Sequence, residues 1–175
     1  MAQSRARVLV AALTLSAAGF GAWVSSEGFS SAPIIPTRGD VPTIGHGSTR
    51  YEDGQAVRMS DPPITRERAA VLARNLMDEE EQRFAASLPG VKLHQEEFDL
   101  YMDFTGNFGI GNWRSSSMRR NLLAGEFVAA CRSLLLWRKQ DGRDCSQPVN
   151  WGPRGCKGVW TRQLERHAKC MEAQR

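Results

Sequence analysis

Glu27, Asp40 and Thr43 are the residues whose types and spacing come closest to a chemical apparatus. Glu27 stands where an uncharged run ends, in "WVSSEGF", directly before Gly28. A carboxylic acid at a helix end beside a glycine-rich turn can be half buried, hold its proton and serve as a general acid. Asp40 is the only carboxylate between Glu27 and Thr43, which opens "TIGHG". A second carboxylate across a reacting centre supports developing positive charge or activates water. The same residues also read as a surface Glu before a C-cap glycine and an exposed Asp at the "RGD" loop tip. His46, inside "TIGHG", is expected as a solvent-facing sheet histidine rather than an acid or base.

The elements that must position these groups are mostly helical. Residues 29–60 are rich in Gly, Pro, Thr and Ser, with short β-type pieces near Thr43–Ile44 and Tyr51, which predicts a small hairpin sheet. Thr65 caps a helix over about 66–87, stopped by Pro89–Gly90, and its "DEEE" (Asp78–Glu81) reads as a solvated face. From His94 to about Gly106, Phe98, Tyr101, Met102 and Phe104 form a helical core stripe. Ser115 or Ser116 caps a short helix ending near Gly125. Phe127, Ala130, Cys131, Leu134 and Trp137 follow helical spacing, and residues 158–172 form a last helix after a turn-rich loop.

The N-terminus reads in several ways. Arg5 and Arg7 precede residues 8–26, which carry no charge. As a helix this run spans about 28 Å, just enough for a bilayer core. It is weakly apolar, with Thr14, Ser16, Gly19, Gly21, Ser25 and Ser26. It could be a signal peptide cleaved at Ser16-Ala17-Ala18, a permanent anchor, an anchor weak enough to leave the bilayer, or the buried first helix of a soluble protein.

The chain of 175 residues suits one domain with an appendage, at 41% hydrophobic and 24% charged. Its net charge of +4 is uneven: residues 1–109 carry 10 basic against 14 acidic side chains, residues 110–175 carry 13 against 5. A basic C-terminal third suits an anionic partner, yet no recognition-helix, zinc-finger or aromatic RNA-binding pattern is present, so nucleic acid is not expected. Four cysteines with an export-type N-terminus favour disulfides, with three connectivities open. We favour Cys131–Cys170, joining two predicted helices, and Cys145–Cys156, closing one loop; in the cytosol all four would be thiols. No C-x-x-C exists and no metal or cofactor is expected.

Four segments in order add a more specific signal: "EG" at 27–28, "TIGHG" at 43–47, "FTGNFGIGNWRSSSMRRNLL" from Phe104, and "WTRQLE" from Trp160. Together they resemble the phage-type lysozymes (glycoside hydrolase family 24) over about residues 20–172. The N-terminus is similar to that of the signal-anchor-release branch, whose members are exported, tethered by a weak uncleaved helix, then released. The branch's anchor cysteine is missing from residues 1–26, so its thiol switch is not carried over.

The resemblance implies hydrolysis of the β-1,4 bond between N-acetylmuramic acid and N-acetylglucosamine in peptidoglycan. Glu27 would protonate the leaving oxygen and Thr43 hold the water. Thr37, Phe104 and Ser116 would fall near the sugar cleft. The second carboxylate departs from the pattern: Glu-x8-Asp-x5-Thr puts it at Pro36 counted from Glu27, or at Thr37 counted from Thr43. Asp40 reaching the site and Thr37 placing the water are both open. A degenerate, non-catalytic wall-binding domain and a lytic transglycosylase are the competing functions.

The expected fold is lysozyme-like α+β: a small N-terminal sheet lobe, a long linking helix, a helical C-terminal lobe and a cleft between. The expected organisation is a signal-anchor helix over 1–26 and a catalytic domain over 27–175. The expected protein is a monomeric endolysin, tethered to the inner membrane through residues 8–26 and then periplasmic in a Gram-negative host.

Overall fold

A computed structural model describes residues 6–175, with the Ser26 side chain also left undescribed; Arg5 lies outside the described residues. The chain divides into two compact units. One is Thr14–Arg83; the other joins residues up to Leu13 with Phe84–Arg175.

The Thr14–Arg83 unit holds α1 (Ala17–Glu27), β2 (Ser30–Ile34), β3 (Thr43–Gly45) and most of α2 (Arg66–Ala86). Ser16 starts α1, its Oγ accepting from Gly19 N at 3.0 Å. Thr65 starts α2 in the same way, accepting from Arg68 N at 3.2 Å. β2 and β3 pair antiparallel, Ser30 with Gly45 and Ile34 with Thr43, and the register shifts between those pairs, around Pro33. Proline has no N–H for a ladder, so an irregular edge is where it fits. Ile44, Val57 and Leu72 form the core, with Tyr51 and Ile64 against it. Gly45 lets β3 approach α2: at φ +67°, an added Cβ would stand 2.9 Å from Ala69 Cβ.

The second unit starts with β1 (Val8–Leu9) and continues through β4 (Lys92–Leu93), α3 (Gln95–Phe108), α4 (Ile110–Ser115), α5 (Ser117–Leu123), α6 (Phe127–Ser133), β5 (Lys139–Gln140), β6 (Arg143–Asp144) and α7 (Lys157–Glu172). β1 pairs antiparallel with β4, and Val10 N donates to Val91 O at 2.9 Å. Arg7 lies over the Phe127 ring at 3.7 Å and forks onto Glu97, Nε to Oε2 at 3.0 Å and Nη2 to Oε1 at 3.2 Å. Gln174 Nε2 donates to the same Glu97 Oε1 at 2.6 Å. Glu97 has no exposed surface, so these charge-assisted bonds offset its desolvation.

An aromatic core fills this unit. Trp113 packs on Phe84 (centroids 4.9 Å) and Tyr101 (5.3 Å), and its Nε1 donates to Ser87 Oγ at 2.8 Å. Buried Arg166 of α7 pairs with Asp103 of α3 at 2.6 Å, and both Arg166 and Arg162 donate to Asn107 at 2.7 Å. The "FTGN" and "WTR" segments therefore meet at the α3–α7 contact. Both expected disulfides are formed. Cys131–Cys170 joins α6 to α7, and Cys145–Cys156 closes the loop between β6 and α7.

Three expectations need correction. The uncharged run is not one helix over residues 8–26: Val8–Leu9 is strand, Val10–Ala12 is a 3-10 turn, and α1 starts only at Ala17. The reason lies in partners far along the chain. β4 takes the strand, and Glu81 Oε1 accepts from Leu15 N at 2.8 Å, just before the Ser16 cap. That contact corrects the second reading: Glu81 is buried and paired with Arg74 at 2.8 Å, so "DEEE" is solvated only in part. Third, α6 ends at Ser133 and continues as a 3-10 turn over Leu134–Leu136, leaving Trp137 beyond it. α4, β1, β4 and the β5–β6 hairpin are additional to the expected elements.

Candidate active site

Glu27 is the last residue of α1 and is exposed, not half buried as expected. Gly28, at φ +73°, breaks the helix and turns the chain into β2. A side chain disfavours that backbone region, so glycine suits the position. Because Ser30 pairs with Gly45, the chain just after Glu27 runs beside the end of β3. Thr43 begins β3, is half buried, and its Oγ1 lies 3.5 Å from the Ile34 carbonyl.

His46 departs from its expected place. It is 6% exposed, and its Nδ1 pairs with the Gly28 carbonyl. Its ring lies 5.6 Å from that of Phe29, and the Arg66 guanidinium stands 4.3 Å over the other side chain of that pair, Phe29. The histidine turns inward and its ring nitrogen pairs with the carbonyl at the α1–β2 junction, so its buried polar atom is satisfied there. Nothing in the periodicity of the sequence announces this contact.

Thr37 and Asp40 are the two ends of one turn. Asp40 N donates to Thr37 O at 2.9 Å, with Gly39 at φ +95° in between. Both side chains are exposed on the loop joining β2 to β3. Glu27, Thr37, Asp40 and Thr43 thus belong to one unit and to one continuous helix–hairpin stretch.

Phe104 and Ser116 belong to the other unit. Phe104 has no exposed surface and packs against Phe108 (4.7 Å) and Trp137 (5.1 Å). Ser116 is buried and caps α5, accepting from Arg119 N at 3.1 Å. In this structure their contacts are those of core packing and helix capping. Among the described residues no group of three or more metal-ligating side chains comes together.

A stretch built as helix–Glu–Gly–hairpin, followed by a long helix and a helical unit, defines a lysozyme-like architecture. The family model for phage lysozyme matches residues 24–150, well over half of the chain, so the protein belongs to the phage lysozyme family. Among solved structures, a mutant of P22 lysozyme superimposes with a TM-score of 0.68 at 25% identity, covering 91% of this chain and 99% of that one. An endolysin from Escherichia coli O157:H7 phage FAHEc1 gives 0.65 at 24% identity, covering 93% and 96%. The active form of P1 phage endolysin Lyz gives 0.67 at 16% identity, covering 98% of each chain. The last two likenesses are of fold. No curated protein matches.

Proposed function

We propose that this protein is an endolysin that hydrolyses the β-1,4 bond between N-acetylmuramic acid and N-acetylglucosamine in peptidoglycan. Family membership, with Glu27–Gly28 at the end of α1 and Thr43 at the start of the paired β3, carries the reading. Glu27 protonates the glycosidic oxygen as the bond breaks. Thr43 holds the attacking water, and Asp40 supplies the carboxylate that stabilises the oxocarbenium-like charge or activates that water. Thr37, at the other end of the same turn, is the alternative partner for the water. The exposure of Glu27 gives a bulky glycan access to it. Phe104 and Ser116 serve the site by holding the helical unit in shape.

The test is loss of turbidity of chloroform-treated Gram-negative cells. Glu27→Gln should lower the rate by about 10²–10⁴-fold, the usual contribution of a positioned acid. Full activity in Glu27→Gln would sink the mechanism. A fall in Asp40→Asn but not Thr37→Val assigns the second group to Asp40; the opposite pattern assigns it to Thr37. Mass spectrometry showing 1,6-anhydro ends in the products would replace hydrolysis by transglycosylation.

The proposed route to the wall is export through the uncharged run over 8–26, which tethers the chain weakly to the inner membrane and is then released uncleaved into the periplasm. Its composition supports a weak tether: Thr14, Ser16, Gly19 and Gly21 weaken insertion. Among the described residues no helix is long and apolar enough to cross a membrane. Residues 7–16 also make specific contacts in the fold, through Arg7–Glu97 and Leu15–Glu81. Cleavage at Ala18 would remove them. N-terminal sequencing of the soluble active form should therefore find residues before Ser16; a chain starting near Gly19 would show cleavage instead.

A further inference from the structure

We propose that His46 is a positioning residue for Glu27: its Nδ1–H holds the Gly28 carbonyl and so sets the direction in which the Glu27 side chain leaves α1. The inference rests on the reading of Glu27 as the general acid. Among the described residues no side-chain hydrogen bond or ion pair orients the Glu27 carboxylate, so its aim depends on the backbone. That backbone turns at Gly28, at φ +73° and ψ −169°, where the residue with the greatest conformational freedom needs an outside hold.

His46 supplies the hold and is itself held from two sides. Its ring faces Phe29, which sits under Arg66 at the start of α2. Its chain neighbour Gly45 lies against Ala69 of α2, leaving no room for a Cβ. Contacts therefore run from α2 to His46, from His46 to Gly28, and from Gly28 to the adjoining Glu27. Thr43 stands three positions before His46 at the start of β3. One strand and its extension thereby place both the acid and the water-holding hydroxyl. A carbonyl only accepts, so Nδ1 carries the hydrogen in the neutral and the charged imidazole alike. Committed to that carbonyl, Nδ1 is not available as a base.

The experiment measures reducing-end release from purified sacculi by wild type, Glu27→Gln, His46→Leu, His46→Asn, His46→Gln and the Glu27→Gln/His46→Leu double variant. His46→Leu should lower kcat about 10–100-fold, the usual effect of an ångström-scale misplacement, with KM within about twofold. His46→Asn should recover most of kcat, because its amide N–H takes the place of Nδ1–H. His46→Gln, with its donor one bond further out, should not. In the Glu27→Gln background His46→Leu should cost nothing further, as for groups acting as one unit. If His46→Leu proves unfolded by circular dichroism, the Asn–Gln comparison carries the same test. Equal kcat in wild type and His46→Leu, or in His46→Asn and His46→Gln, would overturn the positioning role while an inactive Glu27→Gln leaves the acid reading intact. An active Glu27→Gln would overturn both.

Discussion

Single residues in this protein carry constraints that their types only partly reveal. Gly45 is the clearest. Its φ of +67° and the 2.9 Å approach of a would-be Cβ to Ala69 Cβ act together. Gly45→Ala should cost about 1–3 kcal/mol in chemical denaturation, combining overpacking with a disfavoured backbone. Adding Ala69→Gly should recover the steric part and leave the conformational part. Tyr101 sets a limit of another kind. Burial, reinforced by the nearby negative Glu97, pushes its phenol far above the ordinary 10.0, with Arg7 opposing. The folded state therefore keeps the proton where the unfolded chain releases it, so stability is complete below about pH 10 and falls as pH rises beyond it. Alkaline unfolding followed at 295 nm should show tyrosine ionisation together with loss of structure. Tyr101→Phe should soften that limb.

At the scale of elements, legibility followed the range of the interactions involved. α2, α3 and α7 were readable because period, cap and stop are local: Thr65 caps α2 and Pro89–Gly90 follows it. The stripe of Phe98, Tyr101, Met102 and Phe104 is buried as its spacing implies. β1 was not readable, since Val8–Leu9 becomes strand only through residues 92–93. The type of Glu81 implies a solvated residue, whereas its partners are Arg74, two turns earlier on the same face of α2, and a backbone N–H from residue 15. In the candidate site, Glu27, Thr37, Asp40 and Thr43 were identifiable from order and type, whereas the inward turn of His46 depends on a carbonyl 18 residues earlier. The disulfides also act at this scale. By loop entropy, the separation of 39 closed by Cys131–Cys170 is worth about 4 kcal/mol and the separation of 11 closed by Cys145–Cys156 about 3 kcal/mol. Replacing each pair by Ser should lower Tm more for Cys131/Cys170, the pair that ties α6 to α7.

For the whole molecule, the buried Glu97 decides how firmly the N-terminus is kept. Removing Arg7 leaves a carboxylate with no exposed surface and only Gln174 and the His94 N–H as donors among the described partners. Arg7→Ala should therefore cost about 3 kcal/mol or more. Arg7→Ala combined with Glu97→Gln should cost less, because the remaining amide carries no charge. Urea unfolding of the three proteins measures the difference.

The strand Val8–Leu9 also bears on how the chain is threaded. In the terms of chain connectivity, Thr14–Arg83 is an insertion between the first strand of the helical unit and the rest of it. A chain held by its N-terminus would thus lack more than α1 and its glutamate: the helical unit itself would be short of one strand and of the cation for Glu97. Such a held chain should be nicked by protease within residues 84–175 as well as near the hairpin, and release should protect both regions in the same step.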